Sequence, residues 1–305
     1  MKRLIVIYNP RSSRAADVRQ EVLNRTKELS GYLVGRYEVA PTNLDDNIAK
    51  LSKLIKDDDL VLSAGGDATG IIASNAIIHS GKKATLAVLP YGNFNDLART
   101  LRTRTFEDIF LSNVQESSVR DFYPLEIHID GKFFRYATCY VTIGMTAEAV
   151  QIYDSPKMRA KLKKQFGRKI SSYTQLAKWY FKHRRHHIFI PAFKLNGIPQ
   201  DKRISDYAAV NGRSMARVMK GGEDYRDPKF FRHEVDRLTS FHRLTKLMTR
   251  SIFSRIPGTA TEGDVLEFTN PSTVTLQAEG ESIKLEGITK IEIKKGAKCL
   301  KVLEN

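Results

Sequence analysis

Apolar positions in the first part of the chain alternate between continuous runs and helical repeats. Leu4–Tyr8 is an uninterrupted apolar run, whereas Val18, Val22, Leu23 and Leu29 recur at helical spacing across Arg14–Leu29. Arg36–Ala40 predicts a short strand. Leu44, Ile48, Leu51, Leu54 and Ile55 predict a helix. Strand and helix then alternate again: Leu60–Ala64, Thr69–His79, Thr85–Leu89, and helices at Asn93–Leu101 and Phe106–Leu111. Such alternation predicts a parallel sheet covered by helices on both faces.

Near Asp121 the pattern turns β-rich. Leu125–Ile129 and Phe133–Ile143 flank Asp130-Gly131, a hairpin signal. Ile188–Leu195, Tyr207–Asn211, Val265–Phe268, Thr273–Gln277, Ser282–Leu285 and Thr289–Ile293 read as further strands. Most lack intervening helices, which predicts an antiparallel sandwich or barrel-like second unit. A last strand, Cys299–Leu303, is free to return to the first unit. Two segments interrupt the β region. Pro156–His187 holds eleven Lys and Arg and no acid, with Leu162, Phe166, Ile170, Tyr173, Leu176 and Tyr180 at roughly helical spacing. This reads as a basic amphipathic helix or helix pair. It suits an anionic membrane surface, or equally a sheet face with solvated charges. Glu223–Arg250 mixes acids and bases, and its later half reads as helical.

Length and composition narrow the picture. At roughly 150 residues per domain, 305 residues suggest two. A chain that is 41% hydrophobic and 28% charged is of globular type. Cys139 and Cys299 are the only cysteines, which argues against a disulfide framework and fits a reducing compartment. The opening MKRLIVIYNP is too short for a signal-peptide core, and no run approaches the roughly 20 apolar residues of a membrane span. Fifty Lys and Arg against 34 Asp and Glu give +16. That field favours anionic partners: nucleotides, nucleic acid or an anionic bilayer.

The candidate chemistry sits at strand ends. Asn9-Pro10-Arg11-Ser12-Ser13, Gly65-Gly66-Asp67-Ala68-Thr69 and Pro90-Tyr91-Gly92-Asn93-Phe94-Asn95-Asp96 each follow a predicted strand. In a parallel sheet all three lie at the carboxyl edge, where ligands bind. The last two also open helices, whose free N–H groups stabilise phosphate. Asp67 and Asp96 add hard oxygen ligands suited to Mg²⁺. There is no GxxxxGKS/T loop, no GxGxxG fingerprint, and no HExxH or CxxC pattern.

These motifs carry a resemblance. GGDAT resembles the GGDGT motif of the diacylglycerol kinase catalytic-domain family, which includes bacterial lipid kinases and sphingosine kinases and is related to NAD kinases. GNFNDLAR is similar to that family's GTxNDFAR, YNPRSS to its NPxSG loop, and QAEGESIKL to its DGE stretch. Order and spacing match along essentially the whole chain. The resemblance implies an α/β fold: a Rossmann-like nucleotide-binding domain at 1–122 plus about 290–305, and a β-rich, sandwich-like lipid-substrate domain at 123–289 with a basic helical insert at 157–187.

It further implies ATP-dependent phosphoryl transfer to a lipid hydroxyl, with ATP and Mg²⁺ as cofactors. Asn9, Ser12, Gly65, Gly66, Thr69, Gly92 and Asn95 would bind the nucleotide. Asp67, Asp96, Asp121 and Glu281 would surround the metal. Glu279 would act as general base, with Asp67 the other catalytic carboxylate. The expected setting is cytoplasmic, peripheral at the inner face of the membrane, held to the anionic surface by 157–187. No nucleic-acid partner is expected, and a homodimer stays open. Ala68, Ile72, Ser13, Asn93 and Glu279 depart from the family's pattern, and Cys139 falls near a usual Asn. Two alternatives therefore stand beside the kinase reading: a divergent, weakly active or inactive binder of nucleotide or anionic lipid, and a kinase of this fold with another acceptor such as NAD.

Overall fold

The computed structural model describes residues 2–12, 14–40, 43–92, 95–103, 105–110, 119–153, 190–200, 203–215, 219–220, 226–236, 246, 258–278 and 281–304. The basic segment at 157–187 and, apart from Lys246, the later half of 223–250 lie outside them. In chain order the elements begin with β1 (Lys2–Tyr8), α1 (Ala15–Val18), β2 (Tyr32–Glu38), α2 (Leu44–Leu54) and β3 (Leu60–Gly65). Next come α3 (Asp67–Ser80), β4 (Thr85–Pro90), α4 (Asp96–Thr100), α5 (Phe106–Phe110) and β5 (Val119–Phe122). Then follow β6 (Leu125–Ile129), β7 (Lys132–Ala137), β8 (Tyr140–Gly144), α6 (Met145–Tyr153), β9 (Phe193–Leu195), β10 (Ile198–Pro199) and β11 (Ile204–Val210). The remainder comprises β12 (Ser214–Met215), β13 (Met219–Lys220), β14 (Phe230–Asp236), β15 (Thr259–Thr261), β16 (Gly263–Ala278), β17 (Glu281–Lys295) and β18 (Leu300–Leu303).

The first sheet runs β2-β1-β3-β4-β18-β5. The pairings β1 with β2 and β3, β3 with β4, and β4 with β18 are all parallel, and only β5 is antiparallel. Its inner strands are buried nearly throughout, as sheets covered on both faces require. The predicted helix over Arg14–Leu29 is instead three short pieces. A wide π turn at Arg19–Leu23 buries both Val22 and Leu23, and a 3-10 turn follows at Arg25–Glu28. In α2, the Asn43 side chain caps the helix by accepting the Asp46 N–H at 3.0 Å.

The second sheet runs β15-β14-β11-β8-β16-β17-β6-β7, with β9 also paired to β16. Leu125 and Ile127 of β6, near one end, share a single core with Phe230 of β14, near the other. The sheet therefore curls over on itself, which is the sandwich-like architecture the pattern predicts. Among the described residues after β5, β18 alone returns to the first sheet. Residues 290–295, expected there, pair with β6 and β16, because Ile291 and Ile293 alternate into the second core. The single run predicted at Phe133–Ile143 breaks at Thr138-Cys139, and its halves take different neighbours.

The two sheets meet across α3. Ten consecutive residues of α3, Thr69–Ile78, are buried, because the first sheet covers one side and the second unit the other. Gly81 stops the helix in the left-handed region, φ +67°. Asn75 fixes the junction. Its Nδ2 donates to the Tyr136 carbonyl at 3.0 Å, and its Oδ1 accepts the Tyr136 N–H at 3.1 Å. Tyr136, Cys139, Tyr140, Ala208 and Val210 join the same core as Ile72 and Leu86. Among the described residues, no helix is long and apolar enough to cross a membrane.

Candidate active site

Parallel register assembles the three strand-end loops. Ile7 lies beside Ser63 and Gly65 beside Pro90, so the loops after β1, β3 and β4 emerge side by side. In the first loop, Asn9 Oδ1 accepts the Arg11 N–H at 2.9 Å, and the Ser12 N–H donates to the Asn9 carbonyl at 3.1 Å. Arg14 ties this loop to the third. Its Nη1 donates to the Pro90 carbonyl at 3.1 Å and its guanidinium lies 4.9 Å over the Tyr91 ring. The Tyr91 hydroxyl donates to Glu21 at 2.7 Å, and burial with this carboxylate raises its pKa.

The glycines are required by contact. Gly65, Gly66 and Gly92 all lack positive φ. A Cβ on Gly92 would stand 2.2 Å from Gly66 Cα and 2.8 Å from Asn95 Oδ1. A Cβ on Gly65 would stand 2.4 Å from Thr69 Oγ1. Bare backbone thus packs on bare backbone where the second and third loops touch. Thr69 is buried beneath Gly65 and supports the turn from below. Ala68 is exposed within α3, where alanine is an excellent helix former, so the departure from the third glycine is free of strain. Ile72 is buried in the first core.

Asp67 joins the two loops. Its Oδ2 accepts the Asn95 N–H at 3.0 Å and its Oδ1 the Asp96 N–H at 2.7 Å. It thereby caps α4 from another element. The residue keeps some exposed surface, but the carboxylate is enclosed by the amides of 95–97. Burial, then the Asp96 charge, push its pKa up to about 6 against the opposing pull of those amides. Asp96 is buried. Asn95 takes a left-handed conformation, φ +57°, which Asn tolerates. Its Oδ1 accepts the Gly92 N–H at 2.7 Å and its Nδ2 donates to the Gly92 carbonyl at 2.9 Å.

Asp67 and Asp96 are brought together, whereas Asp121 is carried away from them. Asp121 pairs with Lys301, which lies opposite Thr85 at the far end of β4 from Pro90. Five residues along a strand and two strands across put it roughly 19 Å from the loops. Its bonds to Lys301 and Cys299 lower its pKa. Glu281 accepts from Arg135. Glu279, the expected base, lies outside the described residues, as do Ser13 and Asn93.

Among the described residues, no three His, Cys, Asp or Glu side chains gather in a metal-binding group. Two carboxylates beside a phosphate cradle still fit Mg²⁺, which takes one or two carboxylates and completes its shell with phosphate oxygens and water. The Gly66–Gly92 contact fits a phosphate chain, since bare backbone lets N–H groups approach an anion closely. Arg14, Asn75 and Arg135 were not read as site residues from the sequence. Arg135 alone left a signal, as one charge within the apolar run FFRYATCY.

Comparisons with known proteins bear on the sequence of the first unit and on the fold. Residues 3–122 match the family model of the diacylglycerol kinase catalytic domain. A curated diacylglycerol kinase of Bacillus subtilis (strain 168) is 33% identical over 103 residues, 33% of this chain and 33% of that protein. The chain thus spans about a third of the length of this curated relative. The crystal structure of a diacylglycerol kinase from Bacillus anthracis (strain Sterne) covers 100% of this chain and 97% of its own, with TM-score 0.67 and 16% identity. A second structure from that organism gives a TM-score of 0.66, also at 16% identity. At that identity the structural likeness concerns the fold.

Proposed function

Since residues 3–122 match the diacylglycerol kinase catalytic domain, we propose that the chain is an ATP-dependent lipid kinase transferring the γ-phosphate to a diacylglycerol-like hydroxyl. The observation that carries this reading is the Asp67–Asp96 pair held over the Gly66–Gly92 contact at the carboxyl edge of a parallel sheet. Phosphoryl transfer asks for positioning and charge neutralisation more than covalent chemistry. Backbone N–H groups of the second loop, where α3 starts, would hold the phosphates. Asp67 and Asp96 would hold Mg²⁺, which when bound offsets charge on the transferring phosphoryl group. The acceptor hydroxyl must lose its proton as it attacks, and Glu279 is the proposed base. The basic segment at 157–187 would keep the enzyme at an anionic bilayer.

The reading as a degraded, non-catalytic binder loses two of its grounds. Ala68 is a helical residue pointing to solvent, and Ile72 fills the core, so neither obstructs the cradle. The deciding experiment is transfer of γ-labelled phosphate from ATP, with Mg²⁺, into a total lipid extract. A labelled lipid that disappears with Asp96→Asn is expected. Labelled NAD instead of lipid would make the acceptor the soluble one. Tight ATP binding with no labelled product from either would leave a binding role.

A further inference from the structure

Arg135 stands in β7 between Phe134 and Tyr136 and is only 4% exposed. Its guanidinium forks. Nη2 donates to Asp45 Oδ1 at 3.0 Å, and Nη1 donates to Glu281 Oε2. The group also lies 5.1 Å over the Phe134 ring, and Nε has no acceptor among the described residues. Asp45 sits in the first turn of α2, at the end of the first sheet where the three loops emerge, because β2 runs parallel to β1. Glu281 opens β17 of the second sheet. One buried cation therefore ties the two units together. A buried guanidinium is tolerable only with such partners. Its planar fork can serve two carboxylates from different elements, which a lysine cannot match in geometry.

We propose that Arg135 is a positioning residue at the junction of the two units, which fixes the Glu281 carboxylate through a bridge to Asp45 and withholds it from the metal. The metal half of this inference rests on the kinase reading of the Asp67–Asp96 site. Glu281 is about a third exposed, but a divalent cation brought to it would meet the guanidinium charge, and like charges repel. Metal binding then falls to Asp67 and Asp96 with the phosphate oxygens.

Two measurements test it. The first is a double-mutant cycle of Asp45→Asn and Glu281→Gln, followed by urea unfolding without nucleotide. The combined effect on the folding constant is expected to differ from the product of the single effects by about fivefold. That coupling should vanish in an Arg135→Met background and persist in part with Arg135→Lys. Independent effects in the wild-type background would overturn the bridge. Because no nucleotide is used, this result decides the bridge whether or not the chain is a kinase. The second is Mn²⁺ binding in the presence of ATP, read by paramagnetic resonance. Glu281→Gln should bind within about twofold of wild type, while Asp96→Asn should bind about tenfold more weakly. A tenfold loss in Glu281→Gln would overturn the withholding. Absence of Mn²⁺–ATP binding by the wild type would sink the kinase reading and the metal half with it.

Discussion

Asp67 accepts the backbone N–H of Asp96 at 2.7 Å, so one carboxylate of the site is anchored by the main chain of the other. The same side chain accepts the Asn95 N–H. Asp67→Ala should therefore damage the fold as well as the site. It uncaps α4 and leaves two amides without acceptors, a loss of about 1–3 kcal/mol. Asp67→Asn keeps one acceptor and should lose less. Urea unfolding separates the two variants, and equal stability would remove the capping role. Both should lose transfer by about 100-fold or more.

Acid should weaken the site before it weakens the rest of the protein. Asp67 carries a pKa of about 6, raised by burial and by Asp96. Below that value the pair holds a proton that a divalent cation must displace. Catalytic efficiency at limiting Mg²⁺ should fall as pH drops through about 6, and excess Mg²⁺ should shift the inflection downward. A profile flat across this range would show that Asp67 does not titrate there.

Gly92→Ala should push the second and third loops apart, since its Cβ would overlap Gly66 Cα at 2.2 Å. The clash is with backbone, which cannot swing aside. Nucleotide affinity should drop by about tenfold or more, with a stability loss of about 1–3 kcal/mol from the overpacking. Calorimetric titration of ATP checks the first effect and thermal unfolding the second. Unchanged affinity would mean that the contact does not shape the cradle.

Asp206 offers a pH test away from the site. It is buried in β11 and accepts the Thr146 N–H at 2.9 Å and the Thr146 hydroxyl at 2.5 Å, which caps α6. Burial raises its pKa to about 7 despite those bonds. A raised folded-state pKa means the folded state binds the proton more tightly. Its contribution is therefore full below the unfolded carboxylate range and is lost as pH rises through about 7. The loss is on the order of 4 kcal/mol. Asp206→Asn should flatten the fall in stability between about pH 4 and pH 7. Parallel wild-type and variant curves in urea would refute this.

The alternation of strand and helix over 44–101 was legible because buried parallel strands are continuous apolar runs and α2 keeps a 3.6-residue period, whereas the helix read over 14–29 breaks into three pieces. Strand partners were not, because pairing is decided by tertiary contact. Asp121 shows the cost. Its motif position says nothing of the direction of β5, and the antiparallel pairing with β18 carries it to the opposite end of the sheet. Phe230–Asp236 went unread because FFRHEVD carries its charges into the sheet, where Arg232 pairs with Glu234 and with buried Asp264. The Asp67–Asp96 pair was read as chemistry, and its structural half, the cap on α4, needed coordinates. Asn75 looked like any helical amide until the Tyr136 backbone was placed against it.

The place of β18 bears on how the protein is made. Leu300–Leu303 fills the gap between β4 and β5, strands that are complete by residue 122. A ribosome that has released β1 to β5 has not yet delivered the strand that joins them. Until it does, β4 and β5 present open edges, the kind that invite wrong partners. The nucleotide-binding half must therefore wait for the other half to be synthesised, and a nascent chain arrested before Leu300 should be a client of chaperones rather than a folded domain.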